Sequence, residues 1–246
     1  MKKIYIKNLF IIIIACLGGF VISILFLQNN LKNIEPPKVI INEKKYIEES
    51  QLIAAIEKTF NFSVTIKNQD SQILGSGFIL NAKGEIMTTR HVVSDNTQKY
   101  LICFSDNSCT KAEVKNFDNL NDIASLQIND ISQIDQKFLQ NITISKNNDL
   151  KLGQIIFSIG YNGNFTNSIS KGIISGLNRN LTASFENGYR SEELKNLIQL
   201  DMNISQGMSG SPIFNLNSEL IGMIVAVAKD QNGVGFGIPK KLFINI

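Results

Sequence analysis

His91 is the only histidine in the chain. An imidazole that acts as a base near neutral pH needs a nucleophile on one ring nitrogen and an orienting acceptor on the other. A lone histidine is more often structural, so its meaning depends on what else the sequence supplies. The nucleophile candidate is Ser209, in Gln206-Gly207-Met208-Ser209-Gly210-Ser211-Pro212. Glycines flanking a serine let the backbone turn tightly, expose the hydroxyl and bring N–H groups together on an oxyanion. Gly207 and Ser209 are the expected donors of those N–H groups. The bland alternative is a Gly/Ser turn between two strands. The acceptor candidate is Asp122, at the head of Asp122-Ile123-Ala124-Ser125-Leu126. An acid there can be held buried against an imidazole and fix its tautomer. Asp118 competes for that role, and either acid could simply close a turn.

Such groups must be presented by rigid elements. From Phe62 onward, short apolar or alternating runs are separated by Gly, Asn, Asp and Ser. They fall at 62–66, 73–80, 100–104, 123–128, 154–159, 198–202, 220–227 and 234–238. This spacing argues for an all-β sandwich or barrel, and no long helical pattern interrupts it to suggest a βαβ fold. His91 follows the strand-like stretch 85–90. A more polar stretch, 129–149, could join two halves. Before the strands, Glu48 and Glu49 open a helical pattern with Leu52, Ile53, Ile56 and Phe60 on its apolar spacing, read as a packing helix.

The chain holds 246 residues, 43% of them apolar and 18% charged. That is enough for a sizeable core and too apolar for general disorder. The net charge of +3 comes from Lys2, Lys3 and Lys7. The remainder is neutral, which gives no electrostatic reason to expect nucleic acid as a partner. Residues 9–27 carry no charge. A helix of about 19 residues spans about 28 Å, close to the hydrocarbon thickness of a bilayer. No small-x-small cleavage site ends the run, so residues 1–27 read as an uncleaved signal anchor. The lysines before it would place the rest outside the cytoplasm, periplasmic or extracellular. A lipoprotein signal competes, because Ile13-Ile14-Ala15-Cys16 looks like a lipobox. Residues 28–47, with Pro36-Pro37, read as a linker. Of the three cysteines, Cys16 lies in the apolar run, while Cys103 and Cys109 flank an expected hairpin tip. They are read either as a disulfide pair or as two free surface thiols. Their spacing suggests no metal site.

Several motifs resemble the HtrA/Deg branch of trypsin-like serine peptidases. Thr88-Thr89-Arg90-His91-Val92-Val93 is similar to that branch's histidine motif, and Gly75-Ser76-Gly77-Phe78-Ile79 to the strand before it. Asp122-Ile123-Ala124-Ser125-Leu126 resembles Asp-Leu-Ala-Val-Leu. Further matches are Lys151-Leu152-Gly153-Gln154 with Ser158-Ile159-Gly160, Lys171-Gly172-Ile173-Ile174-Ser175, Ile198-Gln199-Leu200-Asp201 with the Ser209 loop, and Val234-Gly235-Phe236-Gly237-Ile238-Pro239. They run in family order from about residue 50 to 240. The order His91, Asp122, Ser209 also fits, whereas an α/β-hydrolase would run Ser, acid, His.

The resemblance implies a chymotrypsin-like fold of two six-stranded antiparallel barrels within 48–246. Barrel 1 is expected over about 60–130 and barrel 2 over about 150–240. It implies a serine endopeptidase with His91, Asp122 and Ser209 as triad, Gly207 and Ser209 as oxyanion hole, and protein or peptide substrates. It calls for no metal or organic cofactor. A role in protein quality control or regulated proteolysis follows by the same resemblance. HtrA relatives are often trimers, but no residue here derives a homo-oligomer contact. The first specificity pocket is expected from Asn203, Ile204, Ile224, Val225 and Ala226, apolar and shallow. Three departures stand out. Met208 replaces an asparagine and Ser211 a glycine, and the sequence ends shortly after Pro239, where HtrA-type chains usually continue into a PDZ domain. The rival readings are a catalytically inactive scaffold on the same fold and a membrane-tethered β-barrel adaptor.

Overall fold

The computed structural model describes residues 17–29, 41–95, 97–147, 149–163, 165–183, 192–227 and 233–244. The chain divides into two compact units, Met1–Glu48 and Glu49–Ile246. In the first, residues 17–29 form helix α1, with Leu17, Phe20, Ile22 and Phe26 exposed. No helix among the described residues is long and apolar enough to cross a membrane. Residues 9–16 of the expected span lie outside the described residues.

Among the described residues the second unit holds twelve strands in two closed barrels. Barrel 1 contains β1 (Ser63–Lys67), β2 (Ile73–Ile79), β3 (Glu85–Thr89), β4 (Lys99–Cys103), β5 (Cys109–Asp118) and β6 (Ile123–Ile128). They neighbour one another as β1-β2-β3-β6-β5-β4. Barrel 2 contains β7 (Ile155–Asn162), β8 (Phe165–Ala183), β9 (Glu192–Met202), β10 (Pro212–Asn215), β11 (Leu220–Val227) and β12 (Val234–Pro239), in the order β10-β11-β12-β9-β8-β7. All these pairings are antiparallel. The all-β double barrel expected from the motifs is the fold observed.

The period of two along each strand sorts neighbouring residues into different cores. Ile79, Ile86, Ala124 and Leu126 belong to the interior of barrel 1. Ile213 and Ile224 belong to that of barrel 2. Their chain neighbours Phe78, Met87, Ile123, Phe214 and Val225 form a third core that draws on both barrels. Strands with both faces covered read as continuous apolar runs, as the sequence showed at β2 and β7. Strand β5 has one face open to water and carries few apolar residues, so no apolar run marked it. Strand β8 extends from barrel 2 as a bulged ribbon with β9, and its outer part also escaped that pattern.

Helix α2 (Ile41–Thr59) starts earlier than the acidic pair suggested. Leu52, Ile56 and Phe60 pack on the shared core as expected, but Ile53 is 50% exposed and Ala55 is buried in its place. The helical period explains the exchange: 52, 55 and 56 share a stripe, and 53 lies about 100° away from 52.

Cys103 and Cys109 sit directly opposite each other on the β4–β5 hairpin and form a disulfide. The choice left open by the sequence is settled as a pair. Mass spectrometry of the unreduced, alkylated protein should find both residues unmodified by the thiol reagent. Replacing both by serine should lower unfolding stability by about 2 kcal/mol, read from a urea titration.

Candidate active site

The juxtaposition of His91 and Asp122 follows from strand register. Strand β3 pairs with β6 so that Thr89 faces Ile123. The residues just beyond each strand, Arg90 and Asp122, then meet, and the Arg90 N–H donates to the Asp122 carbonyl at 3.1 Å. A 3₁₀ turn over Arg90–Val93, anchored by the buried Val92 and Val93, brings His91 round to the same acid. The His91 N–H donates to Asp122 Oδ1 at 3.0 Å, and Nδ1 lies 2.6 Å from Oδ2. Asp122 is 1% exposed and His91 18%. An ionised carboxylate only accepts hydrogen bonds. The contact thus suits the His91 tautomer that carries its proton on Nδ1. Thr89 Oγ1 stands 3.5 Å from Nε2.

Asp118 performs the other task the sequence allowed. Its Oδ1 accepts the N–H groups of Leu120 and Asn121 at 2.9 and 3.2 Å, and Oδ2 accepts the Asn121 side-chain amide at 2.6 Å. It caps the turn that presents Asp122. At the end of that turn Asp122 adopts φ +54°. A non-glycine residue held there costs on the order of 1–3 kcal/mol, offset here by the hydrogen bonds to Arg90 and His91.

Ser209 lies in the connection between β9 and β10. The Met208 N–H donates to the Ser205 carbonyl at 3.1 Å, that of Ser211 to Met208 at 2.9 Å, and that of Gly210 to Ile224 at 2.8 Å. The N–H groups of Gly207 and Ser209 meet no acceptor among the described residues. The loop thus commits the N–H groups of Met208, Gly210 and Ser211, while those of Gly207 and Ser209 stay open among the described residues. Gly207 and Gly210 have φ of +95° and +87°. A Cβ on Gly207 would stand 2.3 Å from the Tyr161 ring, and one on Gly210 2.0 Å from the Ser76 carbonyl oxygen. Both conformation and space require glycine there.

The Ser209 hydroxyl donates to the Val225 carbonyl at 3.4 Å. Gly75 brings this loop close to the His91 turn. A Cβ built on Gly75 would meet Val92 at 2.6 Å on one side and the Ser209 carbonyl oxygen at 3.1 Å on the other.

The expected pocket residues divide. Ile204 and Ile224 are buried in the barrel 2 core, and Val225 in the shared core. Asn203 is exposed, and its carbonyl accepts the Ser170 hydroxyl at 2.7 Å. The backbone of Ala226 continues β11, and its side chain lies outside the described residues. Met208, the first departure, is wholly buried with Ile204 and Ile224, so an apolar residue suits that position. Ser211 is buried at the mouth of β10. Ser76 and Tyr161, which border the loop, were not singled out from their types. Ser76 lay within a noted Gly-Ser-Gly string, while nothing marked Tyr161. Among the described residues no group of three His, Cys, Asp or Glu side chains could hold a metal ion.

Comparison with known proteins places the chain among others of the same fold. Residues 75–223 match the family described as trypsin-like peptidase domain. A probable periplasmic serine endoprotease, DegP-like, of Pseudomonas fluorescens is 35% identical over 176 residues, which cover 70% of this chain and 34% of that protein. The periplasmic pH-dependent serine endoprotease DegQ of Escherichia coli is 32% identical over 219 residues, 86% of this chain and 45% of that one. The chain thus spans less than half the length of these curated relatives. Among solved structures, the HtrA-type protease AlgW with a tripeptide superposes with TM-score 0.65 at 25% identity, over 79% of this chain and 62% of that one. Rv3671c from M. tuberculosis, in an inactive form, superposes with TM-score 0.63 at 19% identity, over 85% and 90%. The chain belongs to the trypsin-like peptidase domain family and is similar to its HtrA-type proteases.

Proposed function

We propose that this chain is a serine endopeptidase that cleaves peptide bonds through an acyl-enzyme. The observation that carries the reading is the buried Asp122–His91 pair, which leaves Nε2 basic beside a loop with two uncommitted N–H groups. In this mechanism Nε2 of His91 removes the Ser209 hydroxyl proton as Oγ attacks the substrate carbonyl. The negative charge on the carbonyl oxygen is held by the N–H groups of Gly207 and Ser209. His91 then gives the proton to the leaving amine, and water repeats the sequence to release the acid. Asp122 stays ionised and stabilises the imidazolium. Protein or peptide segments are the substrates.

We further propose that residues 1–27 anchor the chain in a membrane, with the barrels on the periplasmic or extracellular side. The charge-free run 9–27 behind Lys2, Lys3 and Lys7 supports this, as does a disulfide, which persists in oxidising compartments. The matched Pseudomonas and Escherichia proteins are named periplasmic. For specificity, the stretch 203–205 before Ser209 carries no carboxylate to attract Lys or Arg, which favours cleavage after a small uncharged side chain.

Four predictions test these proposals. Ser209→Ala should abolish both turnover and labelling by a fluorophosphonate. Wild-type protein that fails to take the label would instead support an inactive scaffold. Asp122→Asn should cost on the order of 10⁴ in kcat, and Asp118→Asn far less, because Asp118 caps a turn. A larger loss at Asp118 would reverse that assignment. The chain should remain with membranes after a high-salt wash and be digested by protease added outside the cytoplasmic membrane. A lipidated N-terminus at Cys16 would replace the signal anchor by a lipoprotein. Profiling with a peptide library should show cleavage after Val, Ala or Ile, and a dominant preference for Arg, Lys or Glu would refute the pocket.

A further inference from the structure

Ser76 is wholly buried in β2, and its polar atoms reach three segments around Ser209. Its N–H donates to the Ser209 carbonyl at 2.9 Å, and its own carbonyl accepts the Thr88 hydroxyl at 2.6 Å. Its Oγ donates to the Gly207 carbonyl at 2.7 Å and accepts the Tyr161 N–H at 2.9 Å. The last contact fixes the direction of the first. Because the Tyr161 N–H can only donate, it occupies a lone pair of Oγ and leaves the hydroxyl proton for Gly207. One side chain from barrel 1 thereby joins β7 of barrel 2 to the loop that carries Ser209.

The consequence lies in the peptide planes. Gly207 carries no side chain to restrict its own rotation, and its N–H and carbonyl belong to two different peptides. The plane before it is held by its Gln206 carbonyl, which accepts the Gly163 N–H at 3.2 Å. The plane after it is held at its carbonyl by the Ser76 hydroxyl and at its Met208 N–H by the Ser205 carbonyl, 3.1 Å away. With both planes fixed, Gly207 keeps one conformation and its N–H one direction. Without the Ser76 hydroxyl, the following plane keeps only the Met208–Ser205 bond, and glycine imposes little resistance to turning.

We propose that Ser76 is a positioning residue that orients the oxyanion-binding loop through the Gly207 carbonyl. This rests on Ser209 being the nucleophile and on the Gly207 N–H receiving the oxyanion. A donor that acts only on the transition state should change kcat and leave substrate binding nearly untouched. Ser63 supplies a matched control. It is also a buried barrel 1 serine, and its hydroxyl donates across to the Ile159 carbonyl of β7 at 2.8 Å, without touching the loop.

The experiment compares Ser76→Ala, Ser76→Cys and Ser63→Ala in the full chain in detergent, measuring peptide turnover, fluorophosphonate labelling, pH profile and thermal midpoint. Ser76→Ala should lower kcat by about 10- to 100-fold with KM within about twofold, and slow labelling in parallel. Ser76→Cys, whose S–H is a weak donor, should fall between it and wild type. The pH dependence of kcat/KM should keep its wild-type shape, because Ser76 does not touch the imidazole. Ser63→Ala should lower the thermal midpoint comparably and keep its kcat. The proposal is overturned if Ser76→Ala keeps wild-type kcat, or if Ser63→Ala loses as much activity at the same loss of stability. Wild-type protein that neither turns over peptide nor takes the label would overturn the peptidase reading itself, and Ser76's role in turnover with it.

Discussion

A carboxylate at 1% exposure is the constraint around which the His91 region is organised. Removing an ion from water costs on the order of several kcal/mol even after relaxation. The structure therefore surrounds Asp122 with donors. Both carboxylate oxygens are engaged by His91, one through its main chain and one through its ring. Neither contact is possible unless β3 and β6 are in register, and neither survives if the 118–122 turn opens. Asp118 closes that turn, and Asp122 accepts a left-handed backbone at its end. A strained residue held by its own hydrogen bonds is stiff in position, which is what an imidazole needs from its acceptor.

The second requirement is that two barrels hold still relative to each other. Their shared core supplies the attraction through Phe78, Met87 and Ile123 of barrel 1 and Phe157, Phe214 and Val225 of barrel 2. Apolar burial of this kind is strong but has no direction. Direction comes from a few buried hydroxyls that cross from barrel 1 to main-chain groups of barrel 2, at Ser63 and Ser76. These short polar contacts give the packing of the barrels a direction, and the one at Ser76 also reaches the Ser209 loop. Gly210 is there because the Ser76 backbone passes too closely for a Cβ, and Gly75 because Val92 packs against it.

The departures from the family's motifs also have local causes. Met208 turns into the barrel 2 core with Ile204 and Ile224, so the change from asparagine alters what fills the interior rather than the main-chain donors beside it. The N–H groups at 207 and 209 belong to the backbone, and their directions depend on Gly207, Gly210 and the neighbouring hydrogen bonds. A side chain at 208 can vary as long as the loop still closes on Ser205.

The sequence by itself determined the all-β character, the split into two halves and the candidates His91, Asp122 and Ser209, but left β5, β10 and the outer part of β8 unmarked. Strand periodicity, glycine placement and motif order are local properties, carried by residues near one another along the chain. It favoured Asp122 over Asp118 because an apolar strand follows Asp122, although both are acids near one turn. The fold shows what separates them, by giving one to the turn and the other to the imidazole. The exchange of Ile53 for Ala55 on helix α2, the pairing of Cys103 with Cys109 and the role of Ser76 were likewise decided in three dimensions. The contacts of Ser76 reach Tyr161 and Gly207, 85 and 131 residues further along the chain. A buried serine looks the same in sequence whether it fills space or orients a peptide plane, because its meaning lies in which distant atoms the closed barrels place within hydrogen-bonding reach.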